Sequence, residues 1–149
     1  MSDDQSIEVY RQLRSAQDKY IYFLLAGAAS AIALALSRTE DLPLSLALIP
    51  WGLALLLWGM SFYFGCRHLW YVSSTLFANL ELLRVERGDH PDAGRNPQVI
   101  HAAAEGIKSA IEYNSNRASR LAWKQFYFFV AGAVAYIAWH LLQMYLATA

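Results

Sequence analysis

The chain has 149 residues, its 12 Lys and Arg balance its 12 Asp and Glu, and 56% of it is hydrophobic. Even charge excludes the global basic field that draws proteins to nucleic acid. The only cysteine, Cys66, excludes an intramolecular disulfide and argues against a metal–thiolate cluster.

The apolar residues come in blocks. Tyr20 to Ser37, Leu42 to Cys66 and Gln125 to Ala149 hold no Asp, Glu, Lys or Arg. Roughly 20 apolar helical residues cross a bilayer core. The sequence therefore predicts an all-α integral membrane protein with spans at 20–37, 42–66 and 125–147. Between the first two spans the one basic residue is Arg38; every other Lys and Arg precedes span one or lies between spans two and three. That bias predicts a cytoplasmic N-terminus and an outer C-terminus. The lipid bilayer is the first expected partner, in a plasma or bacterial inner membrane. Roughly half the chain then lies in lipid, too little remaining for an independent catalytic domain.

Residues 3–19 read as a cytoplasmic amphipathic helix. Ile7, Tyr10, Leu13, Gln17 and Tyr20 recur at three- to four-residue spacing. No Gly or Pro separates it from span one, so one helix is expected from about Asp3 to Ser37, capped by Ser2 or Asp3. Its mixed charge argues for an uncleaved span although Ala33-Leu34-Ala35 looks like a cleavage site. A short turn follows, with Thr39 or Asp41 to cap the next helix and Pro43 in its first turn. Pro50 lies inside span two and is expected to kink it.

Residues 67–124 are expected to form a cytoplasmic antiparallel helical hairpin with its tip at 88–96. Leu69, Val72, Leu76, Leu80 and Leu83 extend an apolar stripe past Cys66. Gly88 to Asn96 holds the turn residues, and Asn96-Pro97 is a capping residue followed by a first-turn proline. From there Ile100, Ala104, Ile107, Ile111, Asn114, Ala118 and Leu121 alternate steps of four and three, a coiled-coil seam with Asn114 its polar member. Asn114 either fixes register and copy number or faces water. The stripe and the seam are expected to pack on each other, on the N-terminal helix or on another copy.

Lys19 to Leu36 aligns without gaps with Lys124 to Leu141, sharing Tyr22-Phe23/Tyr127-Phe128 and Ala26-Gly27-Ala28/Ala131-Gly132-Ala133. Duplication and the narrow composition of membrane helices both account for it. Ala26, Gly27, Ser30 and Ala31, with Ala131, Gly132 and Ala135, form smooth faces suited to close helix packing. Together with Ile107, Ile111 and Asn114 they are the candidate packing and oligomerisation residues.

Polar residues inside the spans include Ser30, Ser61, Gln125, His140 and Gln143. His140 and Gln143, three apart, suit either an intramembrane polar site or, with Trp139 and Tyr145, an outer interfacial anchor. No span carries Asp or Glu, which argues against an ion-coupled transporter. Cys66 and His68 lack the spacing of a zinc site. Asp89, His90 and Asp92 are a weak cation candidate. Neither a phosphate loop nor a hydrolase signature occurs, and no cofactor is expected. A basic collar (Arg11, Arg14, Lys19, Arg67, Arg117, Arg120 and Lys124) marks the predicted inner surface.

The leading expectation is a non-enzymatic membrane subunit or scaffold, a homo-oligomer or part of a membrane-protein complex, with the hairpin as its docking element. The alternative is a homo-oligomeric channel or pore-forming effector gated through the hairpin. Ser30 and Ser61 would line it, with Arg67 and Lys124 at its mouth. A third reading is an accessory subunit of a membrane redox complex.

Overall fold

In the computed structural model, residues 3–39, 46–91 and 96–148 are described, the side chains of 3–7, 10, 13 and 14 excepted. Among them are three α-helices, α1 (Asp3–Ser37), α2 (Ile49–Glu86) and α3 (Pro97–Thr148), and one 3-10 turn at Leu46–Leu48, with no strand. The proposed caps Ser2, Asp41 and Pro43, and Asp92 of the tip, lie outside the described residues. All three helices are long and apolar enough to cross a membrane. Only 28%, 17% and 11% of their most apolar windows are buried, so most of that apolar surface faces outward. Phe23, Leu56, Val134 and Tyr145 are each more than half exposed. Such an inside-out distribution suits lipid as solvent and is unusual for water.

Local chemistry sets the helix ends. Thr39 does not start a helix as expected. Its hydroxyl donates to the carbonyls of Ala35 (3.3 Å) and Leu36 (3.0 Å), closing the C-terminus of α1. Pro50 does not kink a span either. Because α2 starts at Ile49, Pro50 falls in its first turn, where a missing N–H loses no intrahelical bond. At the other end of α2, Gly88 is left-handed (φ 73°), the one positive φ among the described residues. Its N–H donates to Val85 O and that of Asp89 to Arg84 O, both at 3.0 Å. These are the two bonds of a Schellman cap, which favours glycine at its left-handed position. Asn96 then caps α3: its Oδ1 accepts from the Gln98 N–H at 3.0 Å, and Pro97 opens the helix.

The chain divides into two compact units, Met1–Gly65 with Ala122–Ala149, and Cys66–Leu121. The first is a three-helix bundle. Ile21 and Gly27 of α1 meet Gln125 and Phe129 of α3, so these two helices run in the same direction. Trp58 and Ser61 of α2 meet Phe129 and Gln125, which makes α2 antiparallel to both. Ala35, Ala54 and Trp58 form its core, with Trp51, Phe129 and Tyr136 packed around them. Small residues let the backbones close up while large rings fill the gaps. The indole N–H groups of Trp51 and Trp58 donate to Ala35 O (3.1 Å) and Phe129 O (3.2 Å), so neither ring leaves its polar edge unserved.

The second unit is an antiparallel pair. His68 of α2 meets Ala118 of α3, and Glu86 meets Lys108 (3.3 Å). Val85, Ala104 and Ala118 are buried between the two helices.

Candidate functional site

Buried polar side chains are costly where lipid surrounds a bundle, so their partners define the places where sequence departs from simple packing. In the first unit Gln125 is fully buried. Its Nε2 donates to Ile21 O of α1 at 3.4 Å, while its Oε1 has no hydrogen-bond partner. Its backbone carbonyl accepts from the Ser61 hydroxyl of α2 at 2.8 Å. Gly65 lies opposite: a Cβ there would stand 2.6 Å from Gln125 Nε2 and 2.7 Å from Leu25 Cδ2. One residue thus ties all three helices at one level. From the sequence Gln125 is only one of several intramembrane polar residues. The missed signal is its spacing: four residues past Leu121 continues the coiled-coil seam to Gln125, and further steps reach Phe128 and Gly132.

The structure splits the small-residue faces. Gly27 and Gly132 turn inward, but toward different neighbours. Gly27 is half-buried with the Phe129 ring 3.3 Å from its would-be Cβ; Gly132 lies under Trp58, whose ring atoms would come within 2.6 Å. Ala31 and Ala135 are half-buried, while Ala26, Ser30 and Ala131 are exposed. The aligned glycines of the internal echo therefore serve different contacts. Ser61, considered as a pore-lining residue, is fully buried with its hydroxyl engaged, so it is withdrawn from any passage between copies.

The outer anchor is also redrawn. Trp139 is buried against Tyr136, with ring centroids 5.3 Å apart, and its indole N–H has no partner. His140 is exposed and Gln143 half-buried, and the three-residue step between them keeps both on one face of α3, at the edge of its packed side. At the other end of the first unit, Lys124 lies 5.5 Å over the Phe64 ring. A groove of about 440 Å³ is lined there by Tyr20, Ala122, Trp123 and Phe126.

In the second unit Ile107, Ile111 and Asn114 are half-buried between Ala104 and Ala118, so the seam is the inward face of α3. The facing side of α2 is mixed, with polar residues set between Val72 and Val85. His68, 9% exposed, places Nδ1 2.8 Å from Ala118 O. A carbonyl only accepts, so the ring carries a proton on Nδ1. Thr75 and Asn79 follow on the same face, their side chains donating to the carbonyls of Tyr71 and Thr75 at 2.9 Å. The expected apolar stripe therefore turns toward the seam only at its start. Leu69 and Val72 are half-buried, but Leu76, Leu80 and Leu83 are about half exposed. Trp70 and Phe77 stand beside them, 56% and 65% exposed. Arg67 folds over Trp70 and Tyr71, 5.0 and 5.4 Å from the ring centroids, as Arg117 does over Tyr113 at 5.3 Å. Such cation–aromatic pairs suit a boundary between apolar and wet surroundings.

What this arrangement offers is shape and hydrogen bonding to backbone, with an apolar surface left open on α2 of the second unit. No family model, characterised protein or solved structure matches the chain.

Proposed function

We propose that this chain is a multi-pass membrane subunit that works by assembly rather than catalysis, and that the Cys66–Leu121 hairpin is its docking element. Three sufficiently long and apolar helices support membrane insertion. Apart from Arg38, every Lys and Arg lies before the first span or between the second and third, which supports a cytoplasmic N-terminus and hairpin, with the C-terminus outside. A 30 Å core takes roughly 20 residues, so a span uses about half of α2 and less than half of α3. The rest lies beyond the hydrocarbon.

The observation that carries the reading is the exposure of Trp70, Leu76, Phe77, Leu80 and Leu83 in that remainder. An apolar face of several large side chains outside lipid marks a binding surface or an aggregation hazard. Two buried polar side chains make helix-to-helix bonds: Ser61 to Gln125 O and His68 to Ala118 O. This supports a structural role for them.

Native mass spectrometry of the gently extracted protein tests the proposal. A stoichiometric complex, with further copies or with other membrane proteins, is the expected result. A strictly monomeric chain across mild detergents and nanodiscs would refute it.

A further inference from the structure

We infer that the exposed face of α2 in the hairpin unit is covered by the same face of a second copy of this chain. The inference rests on the docking role proposed above and names the partner.

Leu76, Leu80 and Leu83 follow one another at steps of four and three, with Trp70 and Phe77 along one edge. That spacing is the one by which two helices interlock. The stripe does not lie in hydrocarbon. His68 meets Ala118 and Glu86 meets Lys108, so α2 beyond residue 68 runs antiparallel to the part of α3 that precedes residue 118. The outer side of α3 carries Glu105, Ser109, Glu112 and Asn116, all exposed, which keeps this stretch in water. The hairpin is thus two-faced, with a polar back on α3 and an apolar back on α2.

The size of the patch fits a second copy. Five large side chains, each baring on the order of 100 Å², give about 500 Å² per chain. Two such faces bury about 1,000 Å², the lower bound for a specific interface. Two pairs of charges at its edges close within the chain: Arg84 with Glu81 at 2.8 Å and Glu86 with Lys108 at 3.3 Å. Membrane insertion gives all copies one orientation and confines them to two dimensions, raising their effective concentration. In that orientation the two-fold axis stands along the membrane normal, and each residue on the axis meets its own counterpart.

In native membranes, in a Cys66→Ser background of the full chain, Leu80→Cys and Phe77→Cys are each treated with a short bismaleimide. Each should yield a species of twice the chain mass. Ser109→Cys, exposed on the polar back of α3, should yield none. Adding Leu76→Glu and Leu83→Glu to Leu80→Cys should lower the yield at least tenfold. Both positions are about half exposed, so the hairpin tolerates the charges. Equal cross-linking at Ser109→Cys, or a yield insensitive to the two glutamates, would overturn the inference. Adducts only with other proteins would overturn the second copy yet leave the docking role standing. No adduct from either stripe position, together with a monomer in native mass spectrometry, would overturn both.

Discussion

The Ser61 hydroxyl donates to the backbone carbonyl of Gln125 at 2.8 Å, binding α2 to α3 at the level where Gln125 also reaches Ile21 of α1. Both residues are fully buried. Interhelical bonds of this kind average about 0.6 kcal/mol inside membrane bundles and reach about 1.7 kcal/mol. Ser61→Ala should therefore cost about 1 kcal/mol, read as a modest fall in the unfolding midpoint in detergent. Gln125→Leu should cost less than Gln125→Ala: it removes an amide whose Oε1 has no partner and keeps most of the volume. A large loss for Gln125→Leu and none for Ser61→Ala would contradict this ordering.

The glycines of the bundle should divide sharply on substitution. Gly132→Ala drives a Cβ to 2.6 Å from the Trp58 ring, which is held by its bond to Phe129 O and cannot swing aside. A cost of about 1–3 kcal/mol follows from overpacking. At Gly65 the obstructing atoms are the ends of the Gln125 and Leu25 side chains. Gly65→Ala should accordingly be milder, and Gln125→Ala should partly relieve it. Gly59 has nothing within 4 Å of a would-be Cβ, so Gly59→Ala should be neutral or slightly stabilising. Thermal unfolding of the four variants in one detergent checks the order.

Two buried tryptophans should respond differently to phenylalanine. Trp58 Nε1 donates to Phe129 O at 3.2 Å, whereas the Trp139 indole N–H has no partner. Trp58→Phe forfeits a hydrogen bond worth about 1 kcal/mol besides its packing. Trp139→Phe frees a buried, unserved donor, which offsets part of its lost contact. A smaller midpoint shift for Trp139→Phe is expected; a larger one would be inconsistent with the indole environments described.

The hairpin turn has its own signature. Ala at Gly88 must adopt a φ near 73°, costing about 1 kcal/mol. Asn96→Ala removes the acceptor for Gln98 N–H, again about 1 kcal/mol. Amide exchange should quicken in the last turn of α2 for the first variant and the first turn of α3 for the second. The Trp58–Phe129 region should be unaffected in both, because each cap acts over one turn.

Much of this architecture is legible in the residues. Long charge-free runs declare the helical class, and Asn96-Pro97 and Gly88 declare helix ends, because capping is chemistry of a few adjacent residues. The inward face of α3 is legible from Ile100 to Leu121 for a similar reason: its spacing repeats. The inward face of α2 is not. Hydrophobicity points to Leu76, Leu80 and Leu83, but a helix keeps its register. Counting threes and fours from the tightly packed Ser61 and Gly65 leads instead to His68, Val72, Thr75 and Asn79. Close approach at a glycine outweighs the pull of a leucine stripe, and that constraint is invisible without Gln125 opposite. Pro50 illustrates a related limit: whether proline kinks a helix or opens it depends on where the helix begins.

The central claim is a membrane chain whose hairpin unit lies on the inner side. In a Cys66→Ser background, Asp89→Cys and Thr148→Cys should be probed with a membrane-impermeant thiol reagent, first in intact cells and then after permeabilisation. Thr148→Cys should label in intact cells, and Asp89→Cys only after permeabilisation. Labelling of Asp89→Cys in intact cells would contradict the account.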